Sequence, residues 1–369
     1  MSRRARTGEP GRLSRGLDRI FRTALFFVPF GVLGNLALSW FATDHSVLAN
    51  LDELPRKWLL VALVLAFVPW ITNALRLLVW ARFISYRVSF RDMFRITLGA
   101  ELASSVLPTS SGGEVFRWGM MVQKGITKGQ AASIVTLGYL EDLLFFSLAL
   151  PVAFVWSSAW ELPVLRSLGR EVRGRFLVVV LAVVAGAVLL WLLWRMLLHG
   201  GLGRGARRRT LRLLARQRHR IRHTWHDFRG VHRLVLERGK SRFLLTFLIT
   251  AVQWSCRYSV MTALAYFLGQ RVDPVLFFLL QWVIFTVMMF VPTPGASGGA
   301  EAAFILIYSA LLPRSVIGIA TAGWRLLTFY VQLAVGSILF TSMNVADART
   351  RARERAEPAE TLPQETSKP

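Results

Sequence analysis

Apolar residues recur along this chain in runs of about twenty, and short polar segments separate the runs. A helical run of that length is long enough to cross the hydrocarbon layer of a bilayer. The pattern predicts an all-α polytopic membrane protein with about six full transmembrane helices. Their predicted positions are near 20–42, 58–81, 130–156, 175–199, 243–268 and 315–345.

Two further apolar stretches, 93–122 and 275–312, are interrupted in the middle by proline, serine and glycine. Each half has roughly 12–17 residues, which is fewer than the ~20 that a spanning helix needs. Because proline ends a helix and glycine permits a tight reversal, each stretch is predicted to be a re-entrant helical hairpin. Non-helical backbone at membrane depth persists only against protein or water, so a lined polar cavity is expected around the two turns.

The two interrupted stretches also resemble each other. "VLPTSSGGEVFR" (106–117) and "FVPTPGASGGAEAAF" (290–304) both run through Pro-Thr and a Ser-Gly cluster to a glutamate. Upstream, an arginine precedes an aspartate by sixteen residues in each copy, at Arg76 and Asp92 and at Arg257 and Asp273. The match predicts two repeats within one transmembrane domain (20–345), at about 58–156 and 243–345.

The basic residues predict the orientation. The chain has a net charge of +24, but its arginines cluster between apolar runs, which is typical of cytoplasmic loops beside anionic lipid rather than of nucleic-acid binding. The tail 1–19 and the segment 200–242 are therefore predicted to be cytoplasmic, as is a disordered tail at 346–369. With six spans, both termini lie inside the cell membrane and the hairpins enter from opposite sides, which makes the repeats inverted. Inverted repeats with broken helices are typical of secondary transporters.

The segment 200–242 carries fourteen Lys or Arg and two acidic residues. Its apolar residues, among them Trp225, Phe228, Val231 and Val235, follow helical spacing. This predicts an amphipathic helix that lies on anionic membrane lipid. One cysteine, and histidines of which only His199 lies at the edge of a predicted span, offer no convincing metal cluster or nucleophile–base pair, so no cofactor, metal or catalytic site is predicted.

Charged residues inside the apolar segments form the first group of candidate site residues. Each costs roughly 2.5–3.5 kcal/mol near a helix centre and is expected to face the protein interior. Arg325 occupies the repeat position of Glu141 and Asp142, which predicts that these groups face each other across a pseudo-two-fold axis. A buried structural ion pair explains such charges as well as substrate binding does. The group is Arg76, Glu101, Glu141, Asp142, Arg257 and Arg325.

The hairpin turns supply the second group of candidates. The N-terminus of a half-helix exposes N–H groups that suit an anionic group such as phosphate. Two alternatives are open: Glu114 and Glu301 only cap their own helices, as the Ser111–Glu114 spacing allows, or the hairpins are plugs without a ligand. Arg117 either meets a lipid phosphate or only balances Glu114. The group is Pro108, Ser111, Gly112, Gly113, Glu114 and Arg117, with Pro292, Pro294, Gly295, Ser297, Gly298 and Glu301.

These turn motifs, followed by "YLEDLL" and "WRLLTFYVQLAVG", resemble the transmembrane region of lysylphosphatidylglycerol synthases over about residues 20–345. Single-domain relatives of that region are described as flippase-like. The resemblance implies movement of an aminoacylated phospholipid between leaflets, with the matched turn residues at the site. In bifunctional members a separate soluble domain attaches the amino acid. The sequence here ends 24 residues after the last predicted span, so lipid synthesis by this chain is not expected.

The leading hypothesis is a lipid flippase or scramblase-like transporter. Its substrate would be an anionic, aminoacylated or glycosylated phospholipid, or a polyprenyl-phosphate lipid. The alternative is a non-catalytic membrane subunit that partners a lipid-modifying transferase. The remaining hypotheses are a membrane-embedded enzyme and a transporter of soluble substrates.

Overall fold

The computed structural model describes residues 54–107, 112–157, 224–291 and 293–356, and every regular element within these ranges is helical. A 3₁₀ turn lies at Pro294–Ala296, and a π turn lies at Leu326–Tyr330. The helices are α1 (Arg56–Phe83), α2 (Phe90–Val106), α3 (Gly112–Gln123), α4 (Lys128–Trp156), α5 (224–238), α6 (Lys240–Phe267), α7 (Pro274–Met288), α8 (Gly299–Tyr308), α9 (Arg314–Arg325) and α10 (Val331–Ala356).

Three of the described helices are long and apolar enough to cross a membrane: α1, α4 and the continuous α9–α10 helix as far as Asp347. They coincide with three of the predicted spans. The predicted span at 243–268 is the 28-residue helix α6, whose apolar run is interrupted by Gln253 and Arg257. The predicted spans 20–42 and 175–199, and the tail 1–19, lie outside the described residues, so the count of six spans stays a prediction.

The first interrupted stretch folds as two short helices, α2 and α3, that pack against each other. Ser89 caps α2, because its hydroxyl accepts the backbone N–H of Asp92 while the Asp92 carboxylate accepts the backbone N–H of Ser89. The Lys124 ammonium, just beyond the end of α3, donates to the same carboxylate. The beginning of α2 therefore meets the end of α3, as the hairpin prediction requires.

The second interrupted stretch is built in the same way from α7 and α8. Asp273 caps α7 at Val275 N–H (2.8 Å), with Pro274 in the first turn where no donor is needed. The turn between the helices needs glycine, because Gly295 and Gly298 have φ of 60° and 84°. Tyr308, at the end of α8, accepts a hydrogen bond from Gln281 of α7 at 2.9 Å. Whether either hairpin dips into a bilayer stays a prediction.

The centre of the fold is the pair α1 and α6, which make the most extensive contact between any two described helices. Each begins one of the two predicted repeats. Small residues such as Ala62 and Ala66 on α1 and Ala265 on α6 are fully or almost fully buried, and they let the two backbones approach closely. The remaining helices pack around this pair.

The amphipathic helix predicted within 200–242 is described at 224–238 (α5), and residues 200–223 lie outside the described ranges. Its apolar stripe faces protein rather than lipid at Val231 and Val235, which are 4% and 8% exposed within the core that includes α1 and α4. Trp225 is about half exposed, and the Arg229 guanidinium lies over its ring. Only part of the stripe is therefore free to contact lipid.

Candidate functional site

A cavity of about 640 Å³ lies where the central helix pair meets the two hairpins. Its wall is drawn from α1, α2, α3, α4, α6 and α7, from the second hairpin turn, and from the α9–α10 helix. Aromatic residues such as Trp70, Trp254 and Phe329 supply much of the lining. Four arginines and three acidic residues interrupt this apolar wall, and all seven were predicted from the sequence: Arg76, Glu101, Glu114, Arg117, Asp142, Arg257 and Arg325.

Arg76, on α1, has polar partners on two other helices of the cavity wall. Its Nη1 donates to Asp142 Oδ1 at 2.6 Å and to Thr250 Oγ1 at 2.9 Å, while its Nε lies 3.6 Å from Glu141 Oε2. Gly138 makes room for the guanidinium, because a Cβ at that position would lie 3.2 Å from Arg76 Nη2. Arg76 therefore ties α4 and α6 to α1.

The two adjacent carboxylates of α4 have different positions. The Glu141 side chain is fully buried behind the wall, where Oε1 accepts Trp80 Nε1 and Thr246 Oγ1, each at 2.7 Å. Asp142 lines the cavity and also accepts Trp254 Nε1 at 2.9 Å. Glu141 thus holds helices together, whereas Asp142 faces the cavity.

Arg325, on α9, holds the second hairpin turn. Its Nε donates to Glu301 Oε1 at 2.7 Å and its Nη2 donates to the Gly295 carbonyl at 3.0 Å. The guanidinium also lies over the Phe329 ring, 5.0 Å from its centre. The predicted pairing of Arg325 with Glu141 and Asp142 does not form. Those carboxylates are taken by Arg76, and Arg325 meets the glutamate of its own repeat instead.

The carboxylate of Glu301 is committed to protein groups. Its second oxygen, Oε2, accepts the backbone N–H of Gly298 at 2.7 Å, which caps the start of α8. Glu301 is 3% exposed and does not line the cavity. These contacts favour the capping interpretation for Glu301.

Arg117 and Arg257 are the less saturated cations of the wall. Arg117 pairs with Glu114 at 2.8 Å, yet its Nε has no hydrogen-bond partner among the described residues. Arg257 reaches Glu101 at 3.3 Å and lies 5.6 Å from the centre of the Trp254 ring. Both therefore keep N–H groups that can donate hydrogen bonds to an anionic ligand.

The other described turn residues shape the second hairpin and the start of α3 rather than line the cavity, apart from Gly295. Gly113 lets α3 press on α2, because a Cβ there would lie 2.5 Å from the Ala100 carbonyl oxygen. Gly295 lines the cavity beneath the Phe329 ring. Among the described candidates, those outside the lining are Gly112, Gly113, Glu141, Pro294, Ser297, Gly298 and Glu301. Pro108, Ser111 and Pro292 lie outside the described residues.

Most of the lining residues were not predicted, among them Trp70, Asn73, Gly138, Gln253 and Gln332. Two of them could have been identified from the sequence. Asn73 and Gln253 are uncharged polar residues in apolar helices, each one turn before a predicted arginine. Gly138 had no such signal, because its role depends on where the Arg76 side chain lies.

These features define a helical integral membrane protein with a charged cavity bordered by two broken hairpins. The chain belongs to the family described as the lysylphosphatidylglycerol synthase TM region, whose sequence model matches residues 22–336. It is also 26% identical over 292 residues to a UPF0104 membrane protein of Archaeoglobus fulgidus, an alignment that covers 76% of this chain and 86% of that protein. The family membership supports the resemblance drawn from the turn motifs and indicates a role connected with membrane lipid.

Proposed function

We propose that this protein is a lipid flippase or scramblase-like transporter. It moves an anionic, aminoacylated or glycosylated phospholipid, or a polyprenyl-phosphate lipid, between leaflets. The cavity carries the proposal, because it combines four arginines with an aromatic wall at the junction of two broken hairpins. Membership of a family named for a lipid synthase's membrane region agrees with a lipid substrate.

The size of the cavity decides which part of a lipid it holds. About 640 Å³ is typical of sites for small ligands, so it accommodates a polar head group and not two acyl chains as well. In this proposal the head group enters the cavity while the acyl chains stay in the bilayer. Arg117 and Arg257 bind the phosphate, because their remaining donors suit an anionic acceptor.

The proposed setting is the cell membrane, with both termini in the cytoplasm, as the basic segments favour. The hairpins then approach from opposite sides as inverted re-entrant elements, and rocking of one repeat against the other exposes the cavity to each leaflet in turn. The exposed Trp225 and Arg229 of α5 contact anionic lipid at the cytoplasmic surface.

Reconstitution tests this function. The purified chain is placed in vesicles that contain phosphatidylglycerol with a fluorophore on an acyl chain, and transfer is followed by quenching of the outer leaflet. We expect the protein to accelerate transfer, and Arg257→Gln to slow it at least about tenfold, as for one lost charged hydrogen bond. Arg233→Gln is the matched control, because Arg233 is exposed on α5 and pairs only with Glu237 among the described residues.

Absence of leaflet transfer for phosphatidylglycerol and for a polyprenyl phosphate would refute the proposal. If the chain instead raises the activity of a co-purifying lipid-modifying transferase, the subunit role replaces transport. Equal slowing by Arg257→Gln and Arg233→Gln would show that the cavity arginine has no special part.

A further inference from the structure

The two central helices, α1 and α6, each carry an amide side chain followed by an arginine. On α1, Asn73 precedes Arg76 by three residues, and on α6, Gln253 precedes Arg257 by four. At these spacings an amide and an arginine share one face of the helix, with about 5–6 Å between their Cβ atoms. All four residues line the cavity, so the first helix of each predicted repeat contributes one amide and one guanidinium to it.

Both amides have an unused acceptor. Asn73 and Gln253 are 5% and 3% exposed, and their side-chain oxygens have no hydrogen-bond partner among the described residues. Folded proteins leave few buried polar atoms in this condition, because a buried acceptor without a donor is unfavourable. Both oxygens are themselves buried, so a ligand N–H or O–H group in the cavity would satisfy them after rotation of each amide.

The spacing matches the dimensions of a short phospholipid head group. A phosphate bound at an arginine leaves its substituent about one helical turn away, where the amide lies. In phosphoethanolamine and phosphoglycerol only a few bonds separate the phosphate from a terminal ammonium or hydroxyl donor. The Gln253–Arg257 pair offers the freer guanidinium, since Arg76 is already held by Asp142, Glu141 and Thr250.

We propose that the Asn73 and Gln253 amide oxygens form an acceptor subsite that selects lipids whose head group carries N–H or O–H donors. This inference rests on the proposed lipid transport and extends it to zwitterionic phospholipids, which carry the same phosphate. A head group with a quaternary ammonium has the same charge as one with a primary ammonium but offers no donor. Phosphatidylethanolamine is therefore preferred over phosphatidylcholine, although charge alone does not distinguish them.

The test compares these two lipids in the same vesicle assay, each labelled on an acyl chain so that the head group is unaltered. We expect the wild-type chain to transfer phosphatidylethanolamine about tenfold faster, which corresponds to one or two neutral hydrogen bonds. The double variant Asn73→Leu/Gln253→Met keeps side-chain volume but removes both acceptors. It should reduce the preference to within about twofold by slowing phosphatidylethanolamine alone.

Gln270→Met is the matched control, because Gln270 lies outside the cavity lining, and it should keep the preference. Equal rates for the two lipids in the wild-type chain would overturn the inference and leave lipid transport intact. A preference that survives in the folded double variant would assign selection to other groups. Transfer of phosphatidylglycerol but of neither test lipid would likewise overturn the inference alone. If phosphatidylglycerol and a polyprenyl phosphate are not transferred either, the proposed function itself fails. The wild-type comparison needs no mutation, so it decides the question even if the double variant does not fold.

Discussion

Replacing Glu301 with glutamine separates a structural from a substrate-binding role for this carboxylate. Glu301 is 3% exposed, and its partner Arg325 is 1% exposed. Its two oxygens accept from Arg325 Nε and from Gly298 N–H, each at 2.7 Å. Glutamine keeps one acceptor but removes the charge that balances Arg325. The substitution should therefore act on the fold of the second hairpin before it acts on any ligand.

The burial of the Glu301–Arg325 ion pair determines how much stability the substitution removes. Removing one partner of a buried ion pair costs about 3–5 kcal/mol, because it leaves an uncompensated charge. Glutamine still accepts one hydrogen bond, so we expect the lower end, about 3 kcal/mol, which is more than a hundredfold in the folded-to-unfolded ratio. The double replacement Glu301→Gln/Arg325→Gln also removes the unpaired charge of Arg325, so it should recover part of the lost stability.

Thermal unfolding in detergent, followed by tryptophan fluorescence, measures the stability, and the vesicle assay measures transfer on the folded fraction. We expect Glu301→Gln to lower the melting temperature by several degrees and to reduce transfer only as far as folded protein is lost. An unchanged melting temperature with abolished transfer would refute this reasoning. It would mean that the carboxylate contacts the substrate.

Two glycine substitutions make further predictions. Gly138→Ala should slow lipid transfer severalfold with a small change in melting temperature, because its Cβ would lie 3.2 Å from Arg76 Nη2 and displace the guanidinium. Gly119→Ala is the matched control, since it gains the same helix propensity and nothing lies within 4 Å of its new Cβ. Equal effects of Gly138→Ala and Gly119→Ala on transfer would contradict the role of Gly138 in positioning Arg76. Gly295→Ala should destabilise the protein by about 2 kcal/mol or more, because φ is 60° and the Cβ would lie 2.3 Å from the Phe329 ring. A melting temperature equal to that of the wild-type chain would show that this turn tolerates a side chain.

The local features of the fold were accessible from the sequence because local chemistry decides them. Helices α1, α4 and α6 match the predicted apolar runs to within three residues at each end. The interruptions in both hairpin stretches also lie where proline and glycine predicted them. A helix ends where donors are missing or φ must be positive, and both properties belong to the residues themselves.

The candidate site was predictable as a set of residues but not as a set of contacts. Buried charge is costly enough that each arginine and acid within an apolar run had to face the interior, and seven of them line the cavity. Which carboxylate each arginine meets depends on helix rotation and depth, which the apolar pattern does not specify. Arg325 accordingly meets Glu301 rather than Glu141.

The sequence by itself determined which segments are helical, where they break, and which charges must be hidden from lipid. Only the tertiary structure decided that Glu301 and Glu141 support the cavity from behind while Asp142 faces it, and that Asn73 and Gln253 share it. The physical reason is the distance along the chain over which each property is decided. Backbone conformation and transfer free energy are properties of each residue, whereas a hydrogen bond needs two groups within about 3 Å, and only the packing of distant helices brings them that close.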